Sequence, residues 1–80
     1  MKQQVRDRTE FIAFVERLHE DYLNNGEAWE NSTLERFLEA MVGYAKDIQG
    51  YYDNSNQKIN ANEASWQIFS DILEGAKIYE

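Results

Sequence analysis

Cysteine is absent from this chain of 80 residues, and histidine occurs once, at position 19. Without thiols there can be no disulfides, iron–sulfur clusters, thiolate zinc sites or thiol nucleophiles. Long apolar runs are missing as well. No stretch approaches the roughly 18–20 residues of a membrane span, and the first residues lack the apolar core of a secretory signal. Basic residues are few, eight against fifteen acidic ones, for a net charge of −7. That field repels phosphate, so the composition points away from nucleic acid and anionic membranes. It serves solubility and would also speed encounter with a basic protein partner. The expected setting is the cytoplasm. No glycine-rich phosphate loop and no Gly-x-Ser-x-Gly element is present.

Two tryptophans, five tyrosines and four phenylalanines are what the chain has instead. At this length roughly 60% of the unfolded surface is buried on folding, and each buried ring removes about 150–250 Å² from water. Charge is uneven: Lys2, Arg6 and Arg8 make the start basic, while Glu16, Glu20, Asp21, Glu27, Glu30, Glu35 and Glu39 make the middle acidic.

The apolar spacing predicts three helices, over about residues 8–24, 33–49 and 62–76. In the first, Asp7 and Glu10 form a capping box, Phe11, Phe14, Val15, Leu18 and Tyr22 share one face, and Asn24-Asn25-Gly26 supplies a left-handed stop. In the second, Ser32 pairs with Glu35 as a capping box, with Asn31 a competing cap. Leu34, Phe37, Leu38, Met41, Val42, Ala45 and Ile48 form a stripe wide enough for two neighbours, and Gly50 ends it. Residues 51–61 read as a connection, for which a loop, a weak hairpin through Asn54-Ser55 and a short fourth helical turn all fit. The third helix is capped by Asn60 with Glu63, or by Asn62, and buries Trp66, Phe69, Ile72, Leu73 and Ala76. Ile78 and Tyr79 are too apolar for a loose end and are expected to dock. The fold class is therefore all-α, a single domain over 1–80, a compact three-helix bundle with its tail on the core.

Chemical motifs are mostly incomplete. Glu16-x-x-His19 has the spacing of a di-iron helix, but those sites need two such pairs and this chain has one histidine. Asp53-x-Ser55-x-Gln57 matches the start of a calcium loop, yet Lys58 stands where glycine is needed and Ala64 where a bidentate glutamate is needed. Asn31-Ser32-Thr33 is a glycosylation sequon that means little without a secretory signal. Glu35 and Glu39 lie one turn apart with no opposing acid or pocket to tune them. No catalytic residue, metal ligand or cofactor is predicted. The adjacent pair Tyr51-Tyr52 cannot easily turn inward together, so one should close the core and the other face solvent. Tyrosine is favoured at binding hot spots, which makes Tyr51, Tyr52, Asp53, Glu35 and Glu39 the candidate partner-binding residues. Trp29, one helix cap upstream, is expected to pack back like a staple.

Trp29-Glu30-Asn31-Ser32-Thr33-Leu34, continuing through Phe37-Leu38-Glu39-Ala40, with Trp66-x-x-Phe69 and the closing Gly75-Ala76-Lys77-Ile78-Tyr79-Glu80, resembles a family of short bacterial proteins of unknown function. The resemblance implies a self-contained helical domain in a bacterial cytosol. It supplies no activity, cofactor or catalytic residue. It marks Trp29, Asn31, Ser32, Thr33, Trp66, Lys77 and Tyr79 as structural, with Glu30 expected to contact Lys77. A looser likeness, of composition, is to the immunity proteins of nuclease colicins, which are small, acidic, helical and present adjacent tyrosines to a basic toxin. The aspartate, isoleucine and proline that frame those tyrosines are missing here. The functional expectation is a non-enzymatic protein-interaction module with a basic partner, immunity- or antitoxin-like in its sharpest form. The alternative is a structural or regulatory homodimer that buries its third helix and tail; the chain is thus expected as monomer or homodimer.

Overall fold

The computed structural model describes residues 4–80; Lys2 lies outside them. Helix α1 spans Arg8–Asn25, a single 3-10 turn covers Gly26–Ala28, α2 spans Leu34–Asn54 and α3 spans Trp66–Ala76. There is no strand among the described residues, and the all-α three-helix bundle forms as expected. Its arrangement is centred on the last helix: α3 packs on both α1 and α2, which do not pack on each other. No helix among the described residues is long and apolar enough to cross a membrane.

Each helix begins at a side-chain cap, though not always the expected one. Asp7 accepts from the Glu10 N–H at 2.8 Å, while the Glu10 carboxylate reaches one residue further back than a capping box, to the Arg6 N–H at 2.8 Å. Thr33, rather than Ser32 or Asn31, caps α2 by accepting from the Arg36 N–H. Ser65, rather than Asn60 or Asn62, caps α3 through the Ile68 N–H, so α3 starts at Trp66 and not near 62. Asn60 instead closes a turn before the helix, accepting from the Asn62 N–H.

The stops differ more. Gly26 keeps a right-handed φ of −57°, and α1 tightens into the 3-10 turn without a left-handed residue. Gly50 does not end α2. A glycine inside a helix costs about 1 kcal/mol, whereas continuing the helix buries Tyr52 completely, worth about 1.5–3 kcal/mol for a large apolar side chain. The second term wins and α2 runs on to Asn54. Its stop is Asn56, the one non-glycine residue with positive φ among those described, at 58°. The Gln57 N–H returns to Tyr52 O at 2.9 Å and the Asn56 N–H to Asp53 O at 3.3 Å, the two bonds of a Schellman closure. The following connection is held by one side chain: Gln49 donates to Ile59 O at 2.9 Å and accepts from the Ala61 N–H at 2.8 Å.

The core is thin and sits between α2 and α3. Ile48, Tyr52 and Ile68 form it, with Tyr44, Ile59, Ala61 and Ile72 packed around them. Helix α1 contains no fully buried residue; Phe11 meets the Trp66 ring at 5.3 Å, while Val15 and Tyr22 of the predicted buried face are exposed. Because α2 has one helical neighbour instead of two, Leu34, Leu38 and Val42 of its stripe are exposed as well. Phe69 is likewise partly open.

The link between α1 and α2 is tied to the far end of α3. Trp29 stacks on Phe37 at 6.0 Å, the staple expected of it, and meets Tyr22 edge-on at 5.1 Å. Asn31 is buried, and its side-chain amide donates to Ala76 O at 2.9 Å and Tyr79 O at 2.7 Å, while its backbone N–H donates to Lys77 O. It therefore caps the end of α3 rather than the start of α2. Lys77 does not reach Glu30. It pairs with Asp21 at 3.1 Å and Glu74 at 3.6 Å, and its ammonium lies 5.6 Å from the Trp29 ring centre. Of the two tail residues expected to dock, Tyr79 does, against Gly43, and Ile78 stays exposed.

Two glycines separate these accounts. A Cβ on Gly50 meets nothing, whereas one on Gly75 collides with the Tyr44 ring. Gly50→Ala is expected to stabilise by about 0.5–1 kcal/mol through helix propensity, and Gly75→Ala to destabilise by about 1–3 kcal/mol through overpacking. Urea unfolding followed by circular dichroism measures both, and a stabilised Gly75→Ala would contradict the close approach of α2 and α3. Asn31→Ala is expected to cost about 1–3 kcal/mol in the same assay, and Asn31→Asp, which sets a carboxylate against two carbonyls, more than that.

Candidate functional site

Four tyrosines converge where the second half of α2 faces the end of α3 and the tail. Tyr44 lies in the middle, with its ring centre 5.2 Å from Tyr79 (edge-on) and 6.4 Å from Tyr51. Tyr51 in turn lies 6.0 Å from Tyr52. The spacing comes from α2 itself, since Tyr44 and Tyr51 are two turns apart on one side of the helix. Tyr79 is brought in by the tail, with its N–H bonded to Gly75 O and its hydroxyl donating to the Asp47 carboxylate. Gly75 supplies the close approach that lets the Tyr44 ring lie against α3. Tyr44, Tyr51 and Tyr79 line a cleft of about 600 Å³ whose rim carries Glu74 and Glu80, with Lys77 beside them and the buried Asp71 in its wall. The Lys77 ammonium is shared between Asp21 and Glu74, and with three carboxylates against this one cation the lining keeps a net negative charge.

Beneath the cleft runs a buried polar chain. The Tyr52 hydroxyl donates to Asp71 at 2.6 Å, and Gln67 donates to the other oxygen of Asp71 at 2.9 Å. Gln67 also accepts from the Val5 N–H at 2.6 Å, which ties the segment before α1 to α3. Burial and the Asp71 hydrogen bond push the Tyr52 phenol far above its ordinary value. Tyr44 is raised by burial and by the acidic groups around it, and Tyr79 by its bond to Asp47. All three phenols are thus held neutral, and Tyr52 and Tyr79 donate. At the Trp29 end, hydrogen bonds from Trp29, Lys77 and Asn25 hold the Asp21 carboxyl below its usual range. For Lys77, burial opposes the charge, but Asp21 and Glu74 outweigh it and raise the ammonium.

Tyr52 is the residue that closes the core, with no exposed surface, and Tyr51 is the exposed one, at 48%. The other three predicted binding residues do not join them. Asp53 is exposed at the end of α2, but turns toward the 56–60 connection and accepts from Gln49 at 3.1 Å. Glu39 lines a neighbouring depression with Arg36 and Gly43, which shares Tyr79 and Glu80 with the cleft, and Glu35 is exposed in the first turn of α2. Of the predicted structural residues, Trp29, Asn31 and Thr33 act as described above. Ser32 accepts from the Tyr22 hydroxyl through its carbonyl at 2.8 Å, and Trp66 opens α3 between Phe11 and Phe69. Tyr44, Glu74 and the buried Asp71 are cleft residues that the sequence reading did not single out. The spacing of Tyr44 to Tyr51 was a visible signal, masked by ending α2 at Gly50. Glu16 and His19 are both exposed on α1, and among the described residues no three side chains converge as metal ligands. The sequon asparagine, Asn31, is buried.

A family model described as a family of unknown function, DUF7660, matches residues 7–80, and the chain belongs to that family. No curated protein and no solved structure matches it.

Because the fold favours protonated Tyr52, its contribution to stability is complete below the unfolded phenol pKa near 10.0 and is lost as pH rises above that value. Stability should therefore fall on alkaline titration. Tyr52→Phe should flatten that fall and cost about 1–3 kcal/mol at neutral pH by removing a donor from Asp71. Denaturant unfolding at neutral and alkaline pH checks both effects, and an unchanged alkaline slope in the variant would refute the assignment.

Proposed function

We propose that this member of a family without an assigned activity is a non-enzymatic interaction module whose tyrosine cleft receives a basic segment of a partner protein. The observation that carries the reading is the cleft itself. Three partly exposed tyrosine rings, Tyr44, Tyr51 and Tyr79, stand beside the carboxylates of Glu74 and Glu80 on a chain of net charge −7. Guanidinium and ammonium groups are attracted to aromatic faces, and the acidic rim adds attraction that salt screens. The rings are pre-positioned by α2 and by the docked tail, which lowers the ordering cost of binding.

A catalytic role has less support. Of the two phenol–carboxylate pairs among the described residues, Tyr52 with Asp71 has its phenol fully buried, and Tyr79 with Asp47 fastens the tail to α2; His19 lies on α1. In its sharpest form the module neutralises a basic toxin as an immunity or antitoxin protein does, in the cytoplasm of a bacterium. That version rests on charge and on the tyrosines, not on kinship.

Recovery of partners by the tagged chain from its own host, at low and at moderate salt, tests the reading. A basic protein should be retained at low salt and weakened at moderate salt. Tyr51→Ala should lower its affinity about 30-fold, the loss of about 2 kcal/mol typical of a hot-spot aromatic. Tyr51 is exposed, so this variant should keep its helical circular dichroism. If the wild type recovers nothing that Tyr51→Ala loses, the reading is wrong.

A further inference from the structure

Helix α2 carries a second surface, turned away from the tyrosine cleft. At about 100° per residue, Leu34, Leu38, Val42 and Ala45 fall within a sector of about 80°, while Tyr44 and Tyr51 lie outside it on the other side of the helix. The first three are 75%, 48% and 57% exposed, and Ala45 is exposed too. The same sector is covered only farther along α2, at Tyr52, where α3 packs; α1 does not pack on α2, and the exposure of Leu34, Leu38 and Val42 shows that nothing within the described chain covers this ridge.

Charge along the ridge says what fits it. Glu35 and Lys46 lie on the same edge, about 20° apart around the axis and at opposite ends. Neither takes part in an ion pair or a side-chain hydrogen bond among the described residues. A twofold axis crossing the helix between Leu38 and Val42 would set Leu38 of one copy against Val42 of the other, Leu34 against Ala45, and Glu35 against Lys46 twice over. Self-complementarity of this kind is what a symmetric dimer interface requires. Only the antiparallel approach achieves it, because in a parallel pair the two charged edges point to opposite sides.

We propose that the Leu34–Leu38–Val42–Ala45 ridge is a self-pairing surface, through which two copies of the chain associate as an antiparallel α2–α2 dimer. The ridge is about 16 Å long and offers less than the ~800 Å² per partner of a standard stable interface. The dimer is accordingly weak and concentration-dependent. It leaves the tyrosine cleft of each copy open, so its existence is independent of the partner reading above.

Sedimentation equilibrium of the full chain from about 10 μM to about 1 mM tests it. The weight-average mass should rise from the 9.5 kDa of one chain toward twice that value. Leu38→Glu should abolish the rise. Lys46→Glu should weaken association about tenfold by placing like charges together at two sites, and Glu35→Lys with Lys46→Glu should restore it. Circular dichroism on each variant confirms that the helices persist; Lys46 is exposed and outside the core, so its variant keeps the test sound if Leu38→Glu does not fold. A mass that stays at one chain up to the highest concentration, or a charge swap that fails to rescue, would overturn the proposal.

Discussion

One asparagine holds the end of the central helix. The last turn of any helix leaves carbonyls without partners, and α3 ends with Lys77 in right-handed geometry and no left-handed glycine to close it. Asn31 answers for Ala76, Lys77 and Tyr79 from the link between α1 and α2, in a buried position. Its place determines much of the rest. It fixes the end of α3 beside Trp29, carries the tail across α2 so that Tyr79 reaches Gly43 and Asp47, and thereby builds one wall of the cleft. The Asp21–Trp29–Lys77 cluster surrounds the same point and joins α1 to it.

Buried polar contacts matter here because the apolar core is small. Three large side chains cannot by themselves specify how a helix with no fully buried residue should sit on its neighbour. Long-range polar contacts do so instead: Val5 to Gln67 before α1 and Asp21 to Lys77 near its end, while Tyr52 to Asp71 sets α2 on α3. Among the described residues no buried side-chain polar atom lacks a partner. A fully satisfied network of this kind favours one arrangement, since any slip leaves a desolvated group unpaired.

Local signals were legible in the sequence and tertiary ones were not. Asp7 capping, the three periodic segments, the staple at Trp29 and the division of labour between Tyr51 and Tyr52 all follow from spacing and residue type. The misplaced α2 terminus has a specific cause: Gly50 looks like a stop until the burial of Tyr52, a long-range fact, is weighed against the cost of one glycine. Asn31 looked like a cap for its own helix because nothing local reveals that the end of α3 lies beside it. The same limit hid Asp21 as the partner of Lys77, where Glu30 stood nearer in the motif. The width of the apolar stripe on α2 suggested two neighbours, while the fold supplies one. A stripe measures how much surface seeks cover, not what covers it.

That α3 alone joins the bundle has a consequence for how the chain is made. Synthesis runs from the N-terminus, and the helix that both others need is made after them. Until residues 66–76 have left the ribosome, α1 and α2 meet only through the link around Trp29, and the carbonyls for which Asn31 is placed do not yet exist. The nascent chain therefore leaves Ile48 and Tyr52 without their cover until α3 is made. Its strong negative charge and well-capped helices suit that interval, keeping the uncovered apolar side chains dispersed until α3 arrives.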